Sequence, residues 1–336
     1  DLSRKGSTQE DGSRFSVREI EVALQAAVDP YFRGDVYLGF NDEEGVSVEQ
    51  AFMTATALPW GLEARLGRFF IPVGKQSTVH RHDLHTLEYP YVIQRFLSPE
   101  GLKGTGLYGS KIFSPFGFYQ ELIVTALDRF GESPEDLTPN EPTNASAKGL
   151  GYTARFRNYW DLTPQANIEL SFSGATGRVS QPIEGGVDFD AVNARQSLFG
   201  VDFTYRWRPL QQGLYRSFIL QAEYMRQFNQ TDPALPPGVD QGQYLGPRRA
   251  FDGAYLFARY QLSRRGFFGV RGDMVEDPTA DGQSLYAASA YYTFFPSEFS
   301  KLVAGYERLW PEGSASQGRL VLQATFALGP HRPHPF

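Results

Sequence analysis

The sequence predicts an all-β fold: a closed, antiparallel, up-and-down transmembrane β-barrel of about sixteen strands. Three features predict this fold. Apolar and polar residues alternate with a period of two, and the alternating stretches run for about ten to fifteen residues. Short and long connections between these stretches also alternate along the chain. Soluble strands are usually about five or six residues long, so the length of these stretches favours strands that cross a bilayer at a tilt.

The alternation is regular enough to place each strand. In GVDFTYRWR (200–208), every second residue from Val201 to Trp207 is apolar, and the residues between them are polar or charged. The predicted strands are 16–28, 31–41, 46–58, 61–73, 104–114, 118–130, 150–162, 165–177, 196–208, 214–229, 251–263, 266–276, 283–295, 299–310 and 315–329. The residues predicted to face lipid, between neighbours that face water, include Leu24, Leu38, Phe203, Leu220 and Leu322.

The connections form two sets that alternate along the chain. The short set is 59–61, 114–117, 163–165, 209–213, 263–266 and 296–298. The long, polar set is 74–103, 131–149, 178–195 and 230–250, with shorter members at 41–45, 276–282 and 311–318. Short periplasmic turns and long extracellular loops are typical of barrels in the outer membrane. We therefore expect residues 1–336 to form a single transmembrane barrel domain.

The number of predicted strands is odd, whereas single-chain bacterial barrels have an even number. The first predicted strand ends in a short turn, so it should run towards the periplasm and follow a strand that runs outwards. Residues 1–12 are too polar to form that strand. We therefore expect the first strand to lie mostly upstream of this sequence, with residues 1–12 in the first external loop. The sequence begins with polar residues and without a signal peptide, which indicates a mature or trimmed chain.

The composition excludes several classes of function. The chain has no cysteine, so disulfides, thiolate metal sites and a cysteine nucleophile are excluded. The formal net charge of −6 gives no reason to expect a nucleic-acid partner. A mean hydropathy of −0.37 would suggest a soluble protein. However, lipid-facing and water-facing residues alternate in membrane barrels, so their average hydropathy resembles that of soluble proteins.

Three stretches resemble a known group of proteins: REIEVALQAAVDPYFRGDVYLGF (18–40), LEARLGRFFIPVGKQSTVHRHDLHTLEYP (62–90) and FALGPHRPHPF (326–336). They are similar to a family of Gram-negative outer-membrane porins that is distantly related to the phosphate-selective porins. The resemblance implies an outer-membrane barrel, a channel, and a long segment after the strand that ends in LGRFFIPVG. It does not imply phosphate as the solute, because a basic ladder typical of a phosphate pore is not evident.

The polar faces of the predicted strands carry charges that we expect to line the lumen. The pore-lining candidates are Arg155, Arg157, Arg206, Arg208, Arg259, Arg271, Asp202 and Glu223. Sixteen strands enclose an aqueous channel, in which charged rings set ion selectivity. Alternatively, opposite charges on adjacent strands cross-link the wall. The densest basic group, Arg155, Arg157, Arg206 and Arg208, is predicted to attract anions.

The long connection 74–103 contains three of the five histidines. It is predicted to enter the lumen from outside, and its residues 86–97 have the best helical pattern in the chain, although Pro90 makes any helix short. The candidates for a pore constriction are His80, His82, His85, Asp83 and Glu88. A second interpretation is Zn²⁺ bound by the three histidines. A third is an ordinary solvated loop.

These observations predict a passive channel in the outer membrane for small polar or ionic solutes. The alternative is a non-conducting barrel, plugged by its inner loop, that acts as a scaffold or partner of other envelope proteins. No G-x-S-x-G, H-E-x-x-H or phosphate-binding motif occurs, so we expect no enzymatic activity and no cofactor. The expected partners are the lipid bilayer, lipopolysaccharide and small polar solutes, with a homo-oligomer or an envelope protein as a further possibility.

Overall fold

The computed structural model describes residues 17–41, 45–99, 101–128, 150–178, 195–229, 249–278 and 283–329. Within these ranges the chain forms one antiparallel sheet of fifteen strands, and each strand pairs with the next one in sequence. This up-and-down order confirms the predicted all-β topology. Antiparallel neighbours need only short connections, so the order of strands in space follows their order in the chain.

The strands match the predicted stretches closely. They are β1 (Ile20–Ala27), β2 (Phe32–Asn41), β3 (Gly45–Ala55), β4 (Leu62–Phe70), β5 (Lys103–Phe113), β6 (Tyr119–Leu127), β7 (Gly151–Thr163), β8 (Ala166–Arg178), β9 (Arg195–Trp207), β10 (Phe218–Asn229), β11 (Arg249–Gln261), β12 (Gly266–Glu276), β13 (Ser284–Ser297), β14 (Ser300–Pro311) and β15 (Gln317–Phe326). Helical structure is confined to α1 (Tyr91–Phe96) and three single 3₁₀ turns within the described part of the chain.

The helix α1 is shorter than the stretch 86–97 that has the helical pattern. Pro90 occupies the position just before the first helical residue. Proline has no N–H to donate, and its ring fixes φ near the helical value, so it suits the start of a helix and not its interior. Among the described residues, no helix is long and apolar enough to cross a lipid bilayer.

The two faces of the sheet differ in polarity. Leu24 and Leu322 point outwards and are 58% and 60% exposed, whereas Asp202 and Glu223 point inwards and are 1% and 2% exposed. Leu38, Phe203 and Leu220 are also on the outer side, between neighbours that are more deeply buried. The predicted outward facing of these five leucine and phenylalanine side chains is therefore confirmed. Most of their inward neighbours are buried and do not face open water as expected; these are Tyr37, Asp202, Thr204, Ile219, Gln221 and Val321.

The sheet has two edges in the described residues, because β1 and β15 do not pair with each other. The predicted sixteenth strand lies outside the described residues, as do residues 1–12. One end of the sheet carries the short turns, and we call it the short-turn end. The other end, the long-loop end, carries the long connections. Most of residues 131–149, 178–195 and 230–250 also lie outside the described ranges.

Candidate functional site

One connection at the long-loop end turns back into the space that the sheet surrounds. The strand β4 ends at Phe70 and β5 begins at Lys103, and these two residues are register partners in the sheet. The N–H of Ile71 donates to the carbonyl of Leu102 at 2.8 Å. Residues 71–102, which we call the inner segment, therefore leave the wall and return to it at adjacent points. The sheet stays continuous without them.

Apolar side chains of the inner segment are buried against the inner face of the sheet. Val73, Val92 and Ile93 are fully buried. The helix α1 packs against β11 and β12, where Gly253 leaves room for Val92: a Cβ on that glycine would lie 2.6 Å from a Val92 methyl carbon. The hydrophobic effect drives this packing, because apolar side chains of the segment and of the inner face are both removed from water.

The apolar contacts are concentrated at the long-loop end. The wall residues of this cluster lie near strand ends beside the long connections, and they include Leu127, Leu198, Met225, Phe251, Val275 and Leu285. The inner segment therefore packs against the wall at that end of the lumen. Most of the partly exposed inward charges lie nearer the short-turn end.

Polar contacts join the first part of the inner segment to the wall strands β7, β8 and β10. The N–H of Gly74 donates to Ser173 Oγ at 3.1 Å, and the N–H of Lys75 donates to Glu223 Oε1 at 3.2 Å. The Lys75 ammonium forms an ion pair with Glu169. Burial lowers the pKa of Lys75 to about 8, although the nearby Glu169 carboxylate favours the charged form.

Glu169 is the centre of a group of charges on the inner face. Besides Lys75, its carboxylate contacts Arg157 and Arg206, each at 3.4 Å. Arg157 also forms an ion pair with Glu121 at 2.7 Å. Three cations thus meet two carboxylates in direct contact. The side chains of Arg157 and Arg206 are 35% and 30% exposed, so both remain accessible to water.

The other cations predicted to line a pore are buried. Arg155 forms an ion pair with Asp202 at 2.8 Å and donates to the carbonyl of Gly74. Arg271 forms one with Asp273 at 2.7 Å. Arg259 is buried, and its guanidinium donates to His85 Nδ1 at 2.8 Å. These arginines contact the wall or the inner segment instead of open water.

Arg208 departs from the predicted basic group in another way. It lies just beyond β9 at the short-turn end, is exposed, and donates to the carbonyl of Gly213 at 2.9 Å. The predicted group of four arginines is therefore divided among three environments. Arg155 is buried, Arg157 and Arg206 are accessible, and Arg208 belongs to a turn.

Tyr91 joins the inner segment to the strands on the opposite side. Its N–H donates to Asp273 Oδ1 at 3.0 Å, and its hydroxyl donates to Glu307 Oε2 at 3.0 Å. Glu307 is fully buried and also forms an ion pair with Arg319. Burial raises the pKa of the Tyr91 hydroxyl, so it remains a donor to Glu307 at neutral pH.

The three histidines of the inner segment do not converge. His80 and His82 are neighbours, with ring centroids 5.5 Å apart. His85 lies elsewhere, against Arg259 and Phe257. The third group beside the histidine pair is Glu21 of β1, whose Oε2 lies 2.7 Å from His80 Nδ1.

The two predicted acids of the inner segment take different positions. Asp83 Oδ2 lies 3.7 Å from His82 Nε2, whereas Glu88 forms an ion pair with Arg18, ahead of β1. Burial lowers the pKa of His82, despite the opposing effect of Asp83. Whether these residues narrow a pore stays a prediction.

Sequence reasoning placed Glu169 and Glu307 on the inner face without choosing them as site residues, and it did not single out Lys75 or Tyr91. The inward position of Glu169 and Glu307 follows from strand alternation, which was the available signal. Lys75 and Tyr91 belong to a segment without strand periodicity, and their partners are far away in sequence. No local pattern indicates such contacts.

Comparison with known proteins adds a likeness in fold. No protein-family model matches the chain. An uncharacterized protein of Aquifex aeolicus (strain VF5) is 25% identical over 342 residues, which cover 96% of this chain and 70% of that protein.

Several solved structures have a similar fold. A loop L8 deletion mutant of OmpT, an outer membrane protein of Vibrio cholerae, has a TM-score of 0.54 at 10% identity, covering 91% of this chain and 89% of its own. OprB of Pseudomonas putida has a TM-score of 0.55 at 11% identity, with coverage of 88% and 82%. The anion-selective porin from Comamonas acidovorans has a TM-score of 0.53 at 12% identity, with coverage of 91% and 85%.

The fold and the two-sided sheet define an architectural class: an up-and-down antiparallel sheet with the barrel fold of outer-membrane porins. The outer face presents exposed apolar side chains along the strands, as a surface in contact with lipid requires. The inner face carries the charges, and the inner segment lies within it.

A charge on the outer face should destabilise the barrel in proportion to its depth. Leu256 lies within β11 and is 52% exposed, whereas Leu262 follows the end of that strand and is 60% exposed. We expect Leu256→Arg to lower the free energy of unfolding in lipid vesicles by about 2–4 kcal/mol, and Leu262→Arg by about 0–1 kcal/mol. Urea titration of the folded chain measures both. Equal losses would show that the outer face does not contact the bilayer as described.

Proposed function

We propose that this protein is an outer-membrane channel of the porin type for small polar or ionic solutes. One observation carries the proposal: the side chains of Arg157 and Arg206 are 35% and 30% exposed on the inner face, although Arg155 and Arg271 on the same face are 5% and 0% exposed. The inner segment thus leaves a water-accessible, charged part of the wall on β7 and β9. Solutes would pass beside it.

The charge of this part of the wall favours anions. Around Glu169 the side chains that remain accessible to water are the cations Arg157 and Arg206, whereas the carboxylates of Glu121 and Glu169 are 9% and 4% exposed. In a narrow passage with low-dielectric walls, a fixed charge raises the local concentration of ions of opposite sign. At physiological salt, charges are screened over about 8 Å, so the group attracts only anions that pass close to it.

Selectivity should therefore depend on Arg157 and Arg206. With a salt gradient across a planar bilayer, the reversal potential of single channels should indicate a preference for anions. The double variant Arg157→Ala, Arg206→Ala should shift this potential towards cations. The control is Arg226→Ala, which removes an arginine from the outer side of β10, where it pairs with Asp252. An equal shift in the control, or none in the double variant, would contradict the proposed path.

A different observation supports a second candidate function. The inner segment contacts β1, β8 and β14, and its apolar side chains pack against the wall at the long-loop end. Such packing favours a barrel that is closed at rest and acts as a scaffold for other envelope proteins. The same bilayer recordings distinguish the two functions, because a closed barrel would carry no current until the inner segment is removed.

The remaining expectations stay predictions. These are the absence of enzymatic activity, the absence of a cofactor, contact with lipopolysaccharide, and a homo-oligomer or an envelope protein as partner. The class of fold implies contact with lipid along the outer face.

A further inference from the structure

We propose that Glu21, His80 and His82 form a binding site for a divalent transition-metal ion of the Zn²⁺ type. One ligand atom from each of the three residues lies within 4.8 Å of the other two. Glu21 belongs to the wall strand β1, whereas both histidines belong to the inner segment. The sequence pattern predicted a different set with His85, which the structure places against Arg259.

The chemistry of this set suits zinc. Imidazole nitrogen and carboxylate oxygen are common zinc ligands, at about 2.0–2.2 Å from the ion. Three protein ligands leave one position of a tetrahedral site for water. Two histidines with one carboxylate also bind Co²⁺ and Ni²⁺, so Co²⁺ can serve as a spectroscopic substitute.

The site is partly organised before an ion arrives. His80 Nδ1 lies 2.7 Å from Glu21 Oε2, and His80 Nε2 lies 2.9 Å from the side-chain amide of Gln50. The rings of Tyr37 and Phe70 each lie with their centroids 5.1 Å from that of His80. The His80 side chain is therefore already held in one orientation and loses little conformational freedom when it binds an ion. Hydrogen-bond partners on the other nitrogen generally orient metal-binding histidines in this way.

Two small rearrangements accompany binding. The ion takes the place of the hydrogen on His80 Nδ1 that faces Glu21, and that hydrogen moves to Nε2, so the ring stays neutral. When Nδ1 binds the ion, Nε2 must carry a hydrogen. The Gln50 amide then turns its oxygen towards Nε2 and gives up its 3.3 Å bond from the N–H of Phe70. That bond is long, so exchanging it for a shorter one costs little.

A bound ion would join the inner segment to β1 at one edge of the sheet. Glu21 and the histidines are connected directly by one hydrogen bond, and an ion would replace it with three coordination bonds. The position of residues 80–82 relative to the wall would then be fixed. This consequence does not depend on whether the barrel conducts.

Metal binding by the purified, folded full chain in detergent tests the proposal. The protein carries no affinity tag, and His331→Ala and His334→Ala are present in every sample so that the C-terminal histidines cannot bind the ion. Calorimetry with Zn²⁺ and the visible absorption of four-coordinate Co²⁺ should both show one ion per chain. Gln50→Ala should weaken binding by about 10–100-fold, and Glu21→Gln and His82→Ala by more.

The matched control is His85→Ala, a histidine of the same segment outside the site, which should leave the affinity unchanged. Heat-modifiability on gels shows that each variant is folded, and His82→Gln replaces His82→Ala if the latter does not fold. Absence of binding, unchanged affinity in folded Glu21→Gln, or equal loss in His85→Ala would overturn the proposal. Binding without any channel current would support the metal site and contradict the proposed channel.

Discussion

Replacing residues 78–97 by a short glycine–serine linker should raise the single-channel conductance several-fold. The segment carries α1 and six buried apolar residues that pack against the wall, namely Leu84, Tyr89, Tyr91, Val92, Ile93 and Phe96. Its removal should open that end while the wall remains intact. Planar-bilayer recording of the deletion variant beside the unmodified protein measures the change.

The geometry of the inner segment makes this deletion practicable. Phe70 pairs with Lys103, and the N–H of Ile71 bonds to the carbonyl of Leu102. The backbone of Gly101 lies so close to Ser77 that a Cβ on the glycine would be 2.5 Å from the Ser77 carbonyl oxygen. A short linker therefore spans the gap without changing the register between β4 and β5.

The deletion also exposes apolar wall residues such as Phe257 and Val275 to water. Burying one such side chain is worth about 1.5–3 kcal/mol, so the variant should unfold at a lower temperature than the unmodified protein. Arg95→Ala is the control, because this side chain of α1 is 44% exposed and pairs with Asp277 at the rim. Unchanged conductance in the deletion variant would show that the inner segment does not control passage.

Glu307→Gln should lower the free energy of unfolding by about 3–5 kcal/mol. Glu307 is fully buried, forms an ion pair with Arg319, and lies 3.5 Å from Arg271. The substitution leaves two guanidinium groups near a neutral amide. Arg271 keeps its ion pair with Asp273, but its charge is fully buried and loses the second carboxylate, which the interior cannot replace with water. The loss also weakens the hydrogen bond from the Tyr91 hydroxyl.

Denaturant unfolding in lipid vesicles, followed by tryptophan fluorescence, measures this effect. Glu312→Gln is the matched control: Glu312 is exposed in the turn between β14 and β15 and accepts from the N–H of Ser284. An exposed substitution of this kind should change stability by about 0.5 kcal/mol or less. Equal stability of the two variants would show that the charges around Glu307 do not stabilise the inner segment.

The strands could be placed from the sequence because their signal is local. The stretch 251–263 predicts β11, which the structure gives as Arg249–Gln261, and 299–310 predicts β14, found as Ser300–Pro311. Each strand pairs with its neighbour in the chain, so topology follows once the strands and turns are known. The strand ends were less exact, since β4 stops at Phe70 where the chain leaves the wall.

The candidate site was predictable only in part. His80 and His82 are two residues apart, and their proximity follows from the sequence. Alternation assigns Glu21 to the inner face, but no pattern in the neighbouring sequence indicates that it contacts His80. The same holds for Lys75 and Glu169, which form an ion pair although they are 94 residues apart in the chain.

By itself the sequence determined the all-β class, the strand order and the two faces of the wall, because these depend on side-chain alternation and on pairing between consecutive strands. Only the tertiary structure decided which inward charges are buried and which groups surround each histidine. Those contacts join the inner segment to distant strands of a curved sheet. They depend on its curvature and on the path of the inner segment, neither of which has a repeating pattern in the chain. Glu21 therefore meets His80, Tyr91 meets Glu307, and Arg157 remains accessible to water.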